Sequence, residues 1–149
     1  MKKLLFLGLF CLCMQIAQAQ TAPTAVAASA AASKDDDTMV LALSGTSAES
    51  WRRLAQVLVQ RGYSIAHSDN SLFTVTTNGL FKRSIGVLSV AGTVVGETLQ
   101  VRLYWGSASD TGGGQPLLTR RKQSERWVEL VAIGQAYGGP VSYTTSVPD

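Results

Sequence analysis

A two-layer α+β domain is what this chain of 149 residues predicts: an antiparallel sheet of four to five strands with two helices packed on one face, in the order β-α-β-β-β-β-α. Three observations carry that expectation. A capped amphipathic stretch surrounds Trp51, a block of alternating and β-branched segments runs from Tyr63 to Trp105, and a second stretch of helical spacing stops at Gly138-Gly139-Pro140.

Met39 to Ser44 is a short apolar run that serves as the first strand, and Gly45 breaks it. Thr46-Ser47-Ala48-Glu49 has the form of a capping box, in which a hydroxyl and a carboxylate satisfy the free amides of a helix start. Trp51, Leu54, Ala55 and Leu58 then recur at three and four residues on one face, and Gly62 ends the helix. Next the period changes to two, with Tyr63, Ile65 and His67 on one face and Ser64 and Ala66 on the other, before a turn at Asp69-Asn70. Leu72 to Thr77 is the following strand. Asn78-Gly79 is a hairpin-type signal, although Leu80 to Arg83 suggest a longer connection. Ser84 to Val95 makes the third strand of this meander, its Gly86 and Gly92 marking a bulge or a close approach. Leu99, Val101, Leu103 and Trp105 alternate with Gln100, Arg102 and Tyr104 in a half-buried strand. After the loop Gly106 to Gln115, Pro116 suits the first turn of a second helix that carries Trp127, Leu130, Val131 and Gly134. The tail from Val141 to Val147 either adds a short strand or lies over the domain.

Three regions are expected: a signal peptide at 1–19, a disordered Ala-rich linker at 20–38 and a single α+β domain at 39–149. Lys2-Lys3, the apolar run Leu4 to Met14 and the small-x-small site Ala17-Gln18-Ala19 match the three parts of an export signal. That run is too short to span a bilayer, which takes about 20 residues. Cys11 and Cys13 lie inside it, preceded by Phe10 and Leu12, so cleavage after Ala19 is preferred and a lipid anchor at Cys11 or Cys13 is the alternative. Periplasmic or secreted localisation follows, with no membrane-spanning segment left in the mature chain. The linker holds Val26 as its one large apolar residue and ends in Lys34-Asp35-Asp36-Asp37, which is expected to be a solvated charge run.

Loss of the signal changes the chemistry available. Of 13 basic residues Lys2 and Lys3 would leave, so 11 face 10 acidic ones and the formal charge of +3 largely disappears. Nucleic-acid binding, which rests on a basic excess, is not expected. Both cysteines leave as well, which removes disulfide and thiol chemistry.

The run from Trp51 to Asp69, with Gly62-Tyr63 at the helix end, followed by Leu72-Phe73-Thr74-Val75-Thr76-Thr77, resembles the helix-grip repeat of BamC, a lipoprotein of the outer-membrane barrel assembly machinery. The likeness covers about 30 residues. It implies a helix-grip fold and an envelope-associated, non-catalytic role. The chain departs from that family in having one domain and no clear lipidation site.

No catalytic, cofactor or metal site emerges. His67 is the only histidine, and His67-Ser68-Asp69 cannot form a triad because adjacent strand residues point to opposite faces. One histidine and no mature cysteine leave only carboxylates for a metal. Thr111-Gly112-Gly113-Gly114-Gln115 lacks the ending of a phosphate-binding loop and is a connector. Trp51, Trp105 and Trp127 are expected to share the core. The candidate binding patch is Arg120, Arg121, Lys122 and Arg126, the densest basic cluster, together with Arg102 and Tyr104 on the sheet. The expected role is therefore non-enzymatic: binding another envelope protein, an anionic polymer or lipid headgroups through the open sheet face or the basic helix. A small-ligand or lipid carrier is the alternative. The first predicts an apolar or aromatic patch on the exposed sheet face, the second an enclosed apolar pocket of about 300 Å3 or more.

Overall fold

Among the described residues, seven strands and two helices follow in the order β1 (Thr38–Ala42), α1 (Ser47–Gln60), β2 (Ile65–Asp69), β3 (Thr74–Thr77), β4 (Leu80–Lys82), β5 (Gly86–Val95), β6 (Thr98–Gly106), α2 (Glu125–Tyr137) and β7 (Val141–Thr144). The structure, a computed structural model, describes residues 32–106, 117–120, 125–138 and 141–145. The expected signal peptide, residues 20–31 of the expected linker, the Gly-rich connector and Pro116 lie outside the described residues.

All strand pairings are antiparallel, and the sheet runs β2-β3-β5-β6-β1-β7, with β4 on β5 beyond the end of β3. Both helices pack on one face, α1 over β2, β3 and β5 and α2 over β1 and β6, and they touch each other. This is the two-layer α+β architecture. The sheet is wider than four to five strands because the tail joins it as β7 beside β1, and because β4 is distinct from β3.

Helix α1 begins as its sequence requires. Thr46 is the N-cap, its side chain accepting from the Glu49 amide while the Glu49 carboxylate accepts from the Thr46 amide. At the other end the Tyr63 amide bonds the Leu58 carbonyl and the Gly62 amide bonds that of Val59, the paired closure of a Schellman motif. Gly62 takes φ 91°, a left-handed conformation that costs a side-chain-bearing residue energy.

Two irregularities redirect the strands. Ile65 pairs with Thr77 but His67 with Thr76, so two residues of β2 oppose one of β3. That bulge turns His67 away from the face of Tyr63 and Ile65, correcting the expected alternation. Likewise Asn78-Gly79 is not a hairpin turn. Thr76 pairs with Ala91 and Leu80 with Leu88, so the strand continues along the same lane of β5 with one residue extra. At this bulge the Thr77 hydroxyl replaces the missing carbonyl and accepts from the Val90 amide at 2.9 Å. The reversal itself lies between Lys82 and Gly86.

The core joins Leu54, Val57 and Leu58 of α1 and Trp127, Leu130, Ile133 and Tyr137 of α2 to Met39, Leu41, Val75, Leu88, Val90, Leu99, Val101 and Leu103 of the sheet. Gly92 takes part by absence: a Cβ there would collide with Cδ2 of Leu54, so the helix approaches the sheet at this glycine. Of the three tryptophans, Trp127 is buried and Trp51 half-buried, donating its indole N–H to the Thr74 carbonyl at 2.9 Å. Trp105, expected in the core, sits at the rim of the sheet with 38% of its surface exposed.

Two further expectations are corrected here. Helix α2 starts at Glu125 rather than Pro116, because Leu117 pairs with Tyr104 and the Leu118 amide donates to the Leu103 carbonyl, holding that segment extended along β6. The aspartate run is not a solvated tether either. Asp36 and Asp37 are buried, Thr38 already belongs to β1, and the Asp37 amide donates to the Thr144 carbonyl of β7. The Asp36 carbonyl accepts from the Arg120 amide. Three chain segments thus meet at these aspartates, and the ordered structure begins before the boundary drawn at residue 38.

Candidate functional site

The sheet face turned away from the helices is fixed by register. Across it, one row carries His67, Thr76, Ala91, Arg102, Thr38 and Thr144; the next carries Asp69, Thr74, Thr93, Gln100, Val40 and Ser142. Ser89 and Tyr104 pair at one end of these rows and Val95 and Thr98 at the other. Period-two alternation puts Leu99, Val101 and Leu103 inward and therefore Gln100, Arg102 and Tyr104 outward. The face is dominated by hydroxyls, with one amide and one guanidinium. An apolar or aromatic patch was expected here; the two central rows are polar, and the apolar groups of the face lie at its margins, Phe81 beside Val87 at one and Val95 at the other.

Arg102 is the centre of this face and is held from the neighbouring strand β1. Its Nε donates to the Thr38 hydroxyl at 3.0 Å, and that hydroxyl donates to the Asp37 carboxylate at 2.6 Å. Thr38 and Asp37 are 0% and 1% exposed, so the chain of bonds runs from a buried acid to a half-buried base. Hydrogen bonds to charged groups in such low-dielectric surroundings are the strong ones. A crevice of about 40 Å3 lies beside the guanidinium, lined by Ala91, Thr93, Gln100 and Arg102. It admits a side-chain tip or a single hydroxyl of a ligand, not a whole small molecule.

The candidate patch is divided by the sheet. Arg102 and Tyr104 share the open face. Arg126 belongs to the other side, where its guanidinium stacks 4.2 Å above the Trp105 ring and its Nε donates to the Ile85 carbonyl at 2.9 Å. Arg120 lies in the segment along β6, where its charge opposes the burial that raises the Tyr143 pKa. Arg121 and Lys122 lie outside the described residues. Sequence reasoning missed Asp37, Thr38, Thr93 and Gln100. Gln100 and Arg102 were visible as alternate residues of one strand, but the neighbours supplied by β1 and β5 depend on strand order, which carries no local signal.

A second polar cluster joins α1, β4 and α2 on the helix side. Glu129 is 7% exposed; its carboxylate accepts from Arg61 at 3.1 and 2.8 Å and from the Tyr63 hydroxyl at 3.3 Å, and pairs with Lys82 at 2.7 Å. Burial acts to raise its pKa, but the bonds and charges of Arg61 and Lys82 outweigh it and hold the carboxyl below its ordinary value. Tyr63 moves upward, first through burial and then through the adjacent Glu129 charge. Four donors fill the acceptor capacity of this one carboxylate. The cluster fastens elements together.

Among the described residues, no group of three or more His, Cys, Asp or Glu side chains is placed to hold a metal. No helix among them is long and apolar enough to cross a membrane. Compared with known proteins, the chain matches no family model and no curated relative.

Proposed function

We propose that this chain is a non-enzymatic, exported envelope domain that binds an extended partner, an anionic polymer or a polar protein segment, across its open sheet face. The observation that carries the reading is the Asp37–Thr38–Arg102 chain, which presents a guanidinium at the middle of a six-lane polar face and fixes its direction before any ligand arrives. Such preorganisation lowers the entropy cost of binding. The surrounding Thr74, Thr76, Thr93 and Gln100 side chains supply hydroxyl and amide groups at the lane spacing of a sheet, about 4.8 Å, suited to a chain with repeated polar groups.

The carrier reading finds less support. Between sheet and helices, where a ligand cavity belongs, Leu54, Leu58, Leu88, Leu99, Leu103, Leu130 and Ile133 all stand at 0% exposure. Depressions of about 470 and 540 Å3, the larger among the described residues, open instead on the outer surface of α1.

Arg102→Gln and Gln100→Ala together test the proposal in a pull-down from envelope extract. Loss of the captured partner, with retention by the opposite-face variant Arg126→Gln, supports the open face. Retention by the double variant together with loss by Arg126→Gln moves binding to the helix side and overturns the assignment.

A further inference from the structure

A second set of cations lies on α1, distant in sequence from the patch above. Arg52, Arg53 and Gln56, with Ser44 from the preceding loop and Glu49 from the first turn, line an open notch of about 470 Å3. Glu49 stands three residues before Arg52 and four before Arg53, the spacing at which a helical carboxylate usually pairs with an arginine. Here its Oε2 accepts from the Thr46 amide at 2.8 Å and the Thr46 hydroxyl at 2.9 Å, and the charge of Arg52 acts on it without a direct ion pair. Both ion pairs among the described residues go to Glu129, so neither involves these two arginines.

Arg53 is nonetheless held in place. Its guanidinium lies 5.3 Å from the centre of the Tyr137 ring, and the hydroxyl of this buried tyrosine is fixed by the Ser44 amide at 3.3 Å and the Ser44 hydroxyl at 3.1 Å. Gly138 keeps the space clear, since a Cβ there would come within 3.1 Å of the Arg53 Nη2. Stacking against an aromatic face engages the guanidinium plane and leaves its in-plane N–H donors available.

From this geometry we infer that the notch is an oxyanion site for a phosphoryl group, bound by Arg52 and Arg53 with Gln56 and the Ser44 hydroxyl completing its donor set. A carboxylate is planar and is satisfied by one bidentate arginine, whereas donors from two guanidiniums, an amide and a hydroxyl arrive from several directions and suit a tetrahedral oxyanion. The notch carries two positive charges against one negative, a net charge of +1 that favours an anion. The group reaches this open site as free phosphate or as the headgroup of an anionic phospholipid, and the chemistry is shared.

Titration of the protein with inorganic phosphate at constant ionic strength, followed by backbone amide NMR, tests the inference. The expected result is saturable shifts at Ser44, Arg53 and Gln56 with a Kd of about 1 mM, weakened about tenfold or more in Arg53→Gln and unchanged in Arg102→Gln. Arg52→Gln, which leaves the Tyr137 stack intact, should weaken binding without altering the melting temperature. Arg53-dependent sedimentation with phosphatidylglycerol vesicles but not phosphatidylcholine vesicles identifies a headgroup; phosphate binding without sedimentation identifies a soluble phosphate. Shifts that never saturate, that acetate reproduces equally, or that persist in both arginine variants overturn the site. Because Arg102→Gln belongs to the open face alone, failure there and failure at the notch are separable.

Discussion

Glu129 ties its ionisation to folding, because three other side chains hold its charged form in a nearly dry place. Its folded pKa is depressed below 4.5, so its contribution is complete above pH 4.5 and is lost as pH falls through the lower folded value. Tyr63 has the opposite sign: its raised pKa gives stability that is complete below pH 10 and is lost as pH rises beyond it. Glu129→Gln should cost about 2–3 kcal/mol at pH 7, less than a fully buried pair because Arg61 and Lys82 are each about a quarter exposed and can rehydrate. The same variant should flatten the acid limb of a urea-midpoint against pH curve below pH 4.5, and Tyr63→Phe should flatten the alkaline limb above pH 10. At Gly92, alanine should cost about 1–3 kcal/mol in urea unfolding, since its methyl would collide with the wholly buried Leu54. If alanine is neutral there, the helix does not approach as closely as described.

Helix α1 is secured at both ends by local chemistry and in the middle by burial. Thr46→Ala removes the hydroxyl that accepts from the Glu49 amide and should lower stability by about 1 kcal/mol. Gly62→Ala should cost about 1 kcal/mol or more, because alanine must adopt φ 91° to preserve the Schellman closure. Thermal melts of both variants measure the two costs independently, and the ends are far enough apart for the effects to add. Both ends were legible in the chain, since capping box and C-terminal glycine act within a few residues. The strands were less so. Thr74 to Thr77 and the alternation of Leu99 to Trp105 announced β3 and β6, but the bulges at Ala66-His67 and Asn78-Gly79 did not announce themselves. A bulge is a mismatch between two strands, and one strand alone does not contain it. The start of α2 was misplaced for a related reason: Pro116 permits a helix, but pairing of Leu117 and Leu118 with β6 keeps the following segment extended.

At the scale of the whole molecule, β5 and β6 lie in the middle of the sheet, joined along nine residue pairs from Val87–Gly106 to Val95–Thr98. Their amides should be the slowest to exchange with deuterium, whereas those of β2 and β7, at the two sheet edges, should exchange through smaller openings. Equal protection across the sheet would contradict this order. Pattern and local chemistry in the sequence were sufficient for the α+β class, the helix α1 with its caps, and the outward set Gln100, Arg102 and Tyr104. Those features depend on side-chain periodicity and on contacts a few residues apart. Tertiary structure alone decided that β7 joins the sheet beside β1, that Asp37 and Thr38 hold Arg102 from the neighbouring strand, that Arg126 is on the opposite side from it, and that Arg53 rests on Tyr137. Each joins residues distant in the chain, and their meeting depends on strand order and on how the helices bury the inner face; short sequence windows encode neither.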